Sequence, residues 1–306
     1  MIRGIDGSDP DGARAAAGPL VVIHAGAGAG RSLQDHHERC LGVLREALDV
    51  ARTVVATGAD ATDAVQGAVR VLEDFELFNA GRGAALCSDG SAELSAAVMR
   101  GSDRAAGAVA GIRRTRQPID AAGWVLRSDQ VLLIGDHADR YAAEMGAEQV
   151  PTSYFVTERQ RDALATKRGS EHHGTVGAVC LDGRGTLAAA TSTGGITGQP
   201  PGRVGDSPLI GAGTWADPRV AVSCTGDGEA FIRAGAARSV AALVEQRRSL
   251  ADACNSALAD VAQLGGLGGL IAVDAGGNAA MPFLTPAMPR GVWRPGRDLW
   301  VAVGPP

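Results

Sequence analysis

Apolar positions along the chain change period several times, and each change marks an element. Leu20 to His24 (LVVIH) is a short apolar run entering GAGAG, which predicts a strand followed by a tight glycine turn. Apolar residues then recur at 41, 44, 48, 51 and 55, and again at 65, 69 and 72. That is the spacing of one buried helix face, so two helices follow the first strand. Between Gly83 and Ile112, small residues and β-formers surround the turn signal SDGS (88–91), giving two or three strands that end in AAGAVAGI. A helix over 118–128, a strand VLLI at 131–134 and a helix over 136–145 complete this half.

Residues 146–174 change character: they are polar, show no persistent face, and are expected to form a linker. The second half opens on a hairpin, TVGAVCL (175–181), DGRG, TLAAATS (186–192). A Gly/Pro-rich loop over 194–213 precedes a strand at 220–225, and a helix carrying Phe231, Val240 and Val244 follows. Ser249 and Asp252 form a capping box for the next helix, and a hairpin, GLIAVD then GNAAMPF, closes the pattern. Paired strands flanked by paired helices predict an α+β fold of sheets packed face to face with helices outside, not strict βαβ alternation. Residues 1–18 are polar and aperiodic, which predicts a disordered leader.

Composition narrows the function. There are 29 Lys plus Arg against 34 Asp plus Glu, a net charge of −5, with no long run of either sign, so a nucleic-acid partner is not expected. No stretch approaches the ~20 apolar residues a membrane helix needs. The N-terminus lacks the apolar core of a secretory signal, which points to a cytoplasmic protein. Five cysteines are scattered singly without a CxxC pair, the pattern of buried thiols in a reducing compartment. GAGAG fails the dinucleotide fingerprint because Arg31 stands where a glycine is required.

The chemistry-bearing runs lie in the second half. In HHGTVGAV, Thr175 starts a strand directly after Gly174, which tolerates a strained backbone. That is where an N-terminal nucleophile belongs: its hydroxyl attacks the preceding carbonyl, and the freed α-amine becomes its general base. The bland reading is a threonine that merely opens a strand. Arg203 and Asp206 in GRVGDSP suit the carboxylate and ammonium of an amino acid, or else form a simple loop ion pair. In SCTGDGE, the Thr225 hydroxyl and Gly226 amide precede a helix N-terminus and suit an oxyanion.

With LFNAGRGA (77–84), GTVGAV, TSTGG (191–195), GRVGDSPLIGAG, SCTGDGE and GGLGGLIAVD in this order, the chain resembles the plant-type L-asparaginase/isoaspartyl peptidase family of N-terminal-nucleophile hydrolases from Leu20 to about Arg290. The resemblance implies a four-layer αββα sandwich and cleavage between Gly174 and Thr175. The products would be an α subunit (19–174, ending in the linker) and a β subunit (175–306), together one domain. It implies hydrolysis of L-asparagine or β-aspartyl dipeptides with Thr175 as nucleophile, Thr193 as its hydroxyl neighbour, and Asn79 close by. Arg203 and Asp206 would hold substrate, Gly228 would lend a backbone contact, and Thr225 and Gly226 would stabilise the oxyanion.

No cofactor is required on this resemblance. A structural sodium would be held by backbone carbonyls of Leu72, Glu73, Phe75, Phe78, Ala80 and Arg82, and the partner would be a second α–β unit. Several positions depart from the family pattern. Arg82 replaces an apolar residue and would oppose a sodium unless it points away. HAGAG replaces HGGAG, Leu284 stands where Asn is common, and the tail with Trp293 and Trp300 matches no pattern. Glycosylasparaginase is one alternative, although that class favours TSTNG. A taspase-like protease would lack Asp206, and an unprocessed binding protein would not need these residues together. His172 and His173 read as linker residues and Trp215 as core.

Overall fold

The structure is a computed structural model that describes residues 18–28, 36–166 and 174–304. The expected leader, apart from Gly18, and His172 and His173 lie outside the described residues. The strands in chain order are β1 (Leu20–Ala25), β2 (Leu94–Arg100), β3 (Ala106–Ile112), β4 (Leu132–Ile134), β5 (Val176–Leu181), β6 (Leu187–Thr193), β7 (Thr214–Ala216), β8 (Val220–Gly226), β9 (Gly268–Asp274), β10 (Ala279–Ala280), β11 (Arg290–Trp293) and β12 (Trp300–Ala302). The helices are α1 (His37–Ala56), α2 (Ala61–Asp74), α3 (Pro118–Leu126), α4 (Gly135–Glu144), α5 (Glu158–Ala165), α6 (Gly228–Ala234), α7 (Ala236–Glu245) and α8 (Leu250–Gln263). The larger sheet runs β12-β11-β1-β5-β6-β2-β3-β4 and the smaller β10-β9-β8-β7.

Strand alternation sorts side chains between the faces of these sheets, because successive residues point to opposite sides. Val21 and Ile23 of β1, Val176 and Ala178 of β5, and Ala188 and Ala190 of β6 pack with α1 and α2. Leu20, Val22, Val179 and Ala189 turn the other way and meet Ala221, Ile271 and Val273 of the smaller sheet. On that sheet Val222, Cys224, Leu270 and Ala272 face α6, α7 and α8. The molecule is therefore mixed α+β, consistent with a sandwich. Thr175, Thr191, Thr193, Ser223 and Thr225 share the parity of the seam between the sheets, so hydroxyls collect there.

Local signals explain the helix ends. Asp60 caps α2 by accepting from the Thr62 amide at 2.8 Å. Ser249 accepts from the Asp252 amide at 3.1 Å, which makes the expected capping box. Gly235, at φ +54°, divides what sequence periodicity presents as one helix into α6 and α7.

One expectation is corrected, and two elements appear where none was expected. The segment 146–174 is not featureless: a 3-10 turn over Thr152–Phe155 and helix α5 occupy it. It is anchored by buried Phe155 and by Gln160, whose Nε2 donates to the Gly83 carbonyl at 2.6 Å. Two buried side chains are too few to show as a periodic face. The unplaced tail forms β11 and β12 at the edge of the larger sheet. Thr214–Ala216, too short to register as an apolar run, pairs with β8 as β7.

Candidate active site

Thr175 lies immediately before β5, and its side chain is buried in the seam. Val176 pairs with Ser192, so the next step along the antiparallel ladder sets Thr175 beside Thr193. Their Oγ1 atoms are 3.2 Å apart, and Thr193 Oγ1 also accepts from the Gly195 amide at 3.1 Å. Asn79 closes this corner: its Nδ2 donates to the Gly195 carbonyl at 2.6 Å and its Oδ1 accepts from the Ala85 amide at 2.7 Å. A Cβ on Gly174 would stand 2.9 Å from Asn79 Cβ, so the backbone before Thr175 passes where only glycine fits without displacement.

A second cluster forms around Gly228. A Cβ there would lie 2.9 Å from Arg203 Nη2 and 3.0 Å from Asp206 Oδ1, so both charged groups converge on one bare Cα. Arg203, only 11% exposed, donates from Nε and Nη2 to Glu229 Oε1 and Oε2 at 2.9 and 2.8 Å. Its Nη1 reaches Gln199 Oε1 at 3.4 Å, and the same Oε1 accepts from the Ile196 amide, which joins this cluster to the Thr193–Gly195 turn. The bland alternative, a simple Arg203–Asp206 ion pair, is therefore not the arrangement found, because Glu229 takes the guanidinium fork.

Asp206 Oδ2 is buried without a hydrogen-bond partner. Burial pushes its carboxyl up to about 7, against the downward pull of its own backbone and of Arg203. Thr225 Oγ1 is equally buried and unpartnered. Beside it Gly226 takes φ +145°, a conformation open to glycine. Buried polar groups are usually satisfied, so a polar ligand reaching either atom would complete a hydrogen bond the fold leaves open.

The loop proposed for sodium begins at the end of α2. The carbonyls of Leu72, Phe75, Phe78 and Ala80 already accept from the amides of Phe75, Phe78, Ala80 and Gly83, and each keeps a second lone pair. The exposed Arg82 guanidinium lies over the Tyr154 ring, 5.2 Å from its centroid. The Glu73 side chain is buried, with Oε1 accepting from the Ile119 amide at 3.0 Å, and burial holds its carboxyl well above the ordinary range. Among the described residues no three His, Cys, Asp or Glu side chains gather as a metal site.

All five cysteines are free and buried, and burial raises each thiol, which removes them as nucleophiles. Trp215, expected in the core, is partly buried on the edge strand β7, packed against the clusters on either side of the smaller sheet. Sequence reasoning missed Glu229 and Gln199. Glu229 stands inside SCTGDGE, yet its partner is 26 residues away and only the fold joins them.

A sequence model described as asparaginase matches residues 17–302. The isoaspartyl peptidase of Salmonella typhimurium is 45% identical over 293 residues, covering 89% of this chain and 94% of that protein. The isoaspartyl peptidase of Escherichia coli is 44% identical, covering 89% and 91%. The isoaspartyl peptidase/L-asparaginase of Bos taurus is 39% identical over 292 residues, covering 92% and 94%.

Proposed function

The chain belongs to the asparaginase family, and from that premise we propose that Thr175, freed by cleavage after Gly174, hydrolyses L-asparagine and isoaspartyl dipeptides. The activity is that of an amidohydrolase. In maturation, Thr175 Oγ attacks the Gly174 carbonyl carbon, the Gly174–Thr175 C–N bond breaks, and the acyl group passes to oxygen as an ester. Water hydrolyses that ester and leaves a free α-amine on Thr175. In turnover, this amine takes the hydroxyl proton as Oγ adds to the substrate carbonyl. The oxyanion is met by Thr225 Oγ1 and the Gly226 amide. The leaving amine departs protonated, and water hydrolyses the resulting aspartyl ester.

The substrate's α-carboxylate meets Arg203 and its ammonium meets Asp206. The unpartnered Asp206 Oδ2 beside Arg203 carries this reading, because a buried carboxylate oxygen without a donor matches a ligand that brings a cation. The arrangement of two sheets between helices supports the αββα layering, with 19–174 and 175–306 as the subunits of one domain. The spare carbonyl lone pairs of residues 72–82, with Arg82 drawn to Tyr154, support a structural sodium. The five free buried cysteines support a cytoplasmic setting. Exposed Val131, Leu132 and Ile134 at the β4 edge support pairing of two α–β units. Among the described residues no helix is long and apolar enough to cross a membrane.

The test is intact mass and a denaturing gel on wild type and Thr175→Ala, followed by assay of wild type on an isoaspartyl dipeptide with and without an N-acetyl group. Wild type yields two fragments meeting at 174/175, the variant stays whole, and only the free-amine substrate turns over. Cleavage of Thr175→Ala at this bond, or equal turnover of the acetylated substrate, refutes the assignment.

A further inference from the structure

One row below Thr175 and Thr193, the seam holds a second set of buried polar side chains that the hydrolytic reading leaves unused. Gly177 of β5 pairs with His24 of β1 on one side and Thr191 of β6 on the other. A Cβ on Gly177 would collide with both Ser223 Oγ and His24 Nε2, so the missing side chain makes the gap through which Ser223 of the smaller sheet reaches the larger one. Ser223 Oγ is 2.9 Å from His24 Nε2 and 2.8 Å from Thr191 Oγ1. Thr191 Oγ1 is 2.7 Å from Thr214 Oγ1, which is 2.9 Å from the Ser207 carbonyl.

Thr214 Oγ1 donates towards both Thr191 Oγ1 and the Ser207 carbonyl. Thr191 and Ser223 share a hydrogen bond that either hydroxyl can donate, and Ser223 meets His24 Nε2. The other ring nitrogen, Nδ1, faces the Gly26 amide at 3.4 Å. Burial keeps this histidine neutral by lowering its pKa to about 3, with the Thr175 backbone pulling the other way. Each of the three hydroxyls has two partners within the network, the condition under which a buried network rigidifies its surroundings.

We propose that His24, Ser223, Thr191 and Thr214 form a hydrogen-bonded lock between the sheets that sets the spacing between Thr175 and Thr225. Along β6, Thr191 lies two residues from Thr193. Along β8, Ser223 lies two residues from Thr225. The lock therefore acts one side-chain repeat from the reacting groups, and its far end holds the carbonyl beside Asp206. These are positioning residues. They touch no substrate, and the role assigned to them rests on Thr175 being the nucleophile.

Thr191→Val keeps the shape and deletes the hydroxyl, whereas Thr191→Ser keeps the hydroxyl. On processed protein, counted by its free N-terminal threonine, Thr191→Val lowers kcat by ~10 to 100-fold, the scale on which small misplacements act. KM stays within about two-fold, because Asp206 is independently held by amides of Leu209 and Gly213 on its carbonyl. Thr191→Ser restores kcat. If Thr191→Val does not fold, Ser223→Ala carries the same criterion. Wild-type kcat in the variant, or a kcat loss that Thr191→Ser does not repair, overturns the lock. A wild-type protein that neither cleaves nor hydrolyses instead overturns the Thr175 reading, and the lock with it.

Discussion

Lowering the pH from about 8 to about 6 carries Asp206 through its titration, because burial holds its carboxyl at about 7 where an ordinary aspartate has 3.8. That difference corresponds to about 4 kcal/mol, at 1.36 kcal/mol per pKa unit, by which the unliganded fold disfavours the charged carboxylate. Because the folded value is raised, this group's contribution to stability is full below the ordinary carboxyl range and is lost as pH rises through about 7. On the proposed assignment a substrate ammonium should reverse the balance, supplying the partner that Oδ2 lacks and holding the carboxylate charged.

On the proposed assignment two deprotonations should control kcat/KM in the free enzyme, that of Asp206 and that of the Thr175 α-amine, whose ordinary pKa is ~7.7 to 8.0. In the substrate complex only the amine should still titrate. On the acid side, log kcat/KM should fall with a limiting slope of about 2 per pH unit and log kcat with a slope of about 1. Asp206→Asn should raise KM and reduce the kcat/KM slope to about 1. Initial rates on an isoaspartyl dipeptide between about pH 5.5 and 9 measure both profiles, a range in which the substrate carboxylate stays charged. Identical unit slopes in wild type, or an unchanged steep limb in Asp206→Asn, would refute the placement of the ammonium on Asp206.

Thr225→Val deletes a donor that has no partner in the resting fold, so its loss should appear in the rate: kcat down by ~10² to 10³ with KM little changed, measured on processed enzyme. Wild-type kcat in that variant would make Thr225 a structural strand-end residue. Gly228→Ala should raise KM by ~10-fold or more without altering cleavage at Thr175. The added methyl overpacks Arg203 Nη2 at 2.9 Å and Asp206 Oδ1 at 3.0 Å, the kind of crowding that costs about 1 to 3 kcal/mol. An unchanged KM would mean that the two charged groups have room to retreat.

What the sequence determined by itself is whatever short-range periodicity or contiguous motifs encode. The alternation in TVGAVCL and TLAAATS reads as a hairpin because side chains two apart share a face, and the structure pairs β5 with β6 in that register. The Ser249 cap was legible because both partners lie within one helical turn. Thr175, Thr193, Arg203, Asp206 and Thr225 could be singled out because each sits in a distinctive local run.

Tertiary structure alone decided which of these groups meet, and how. Arg203 and Asp206 look like an ion pair when only their three-residue spacing is visible, but Gly228 admits both to one point and Glu229 takes the guanidinium. The partners in the seam are far apart in the chain, His24 from Ser223 by 199 residues, and no local pattern carries information about such a contact. The segment 158–165 was misread for the same reason: its order comes from Gln160 reaching Gly83, 77 residues earlier, rather than from an apolar stripe of its own. Even the shift of Asp206 arises from burial by elements remote in sequence, since a carboxyl's charge cost is set by what surrounds it in space.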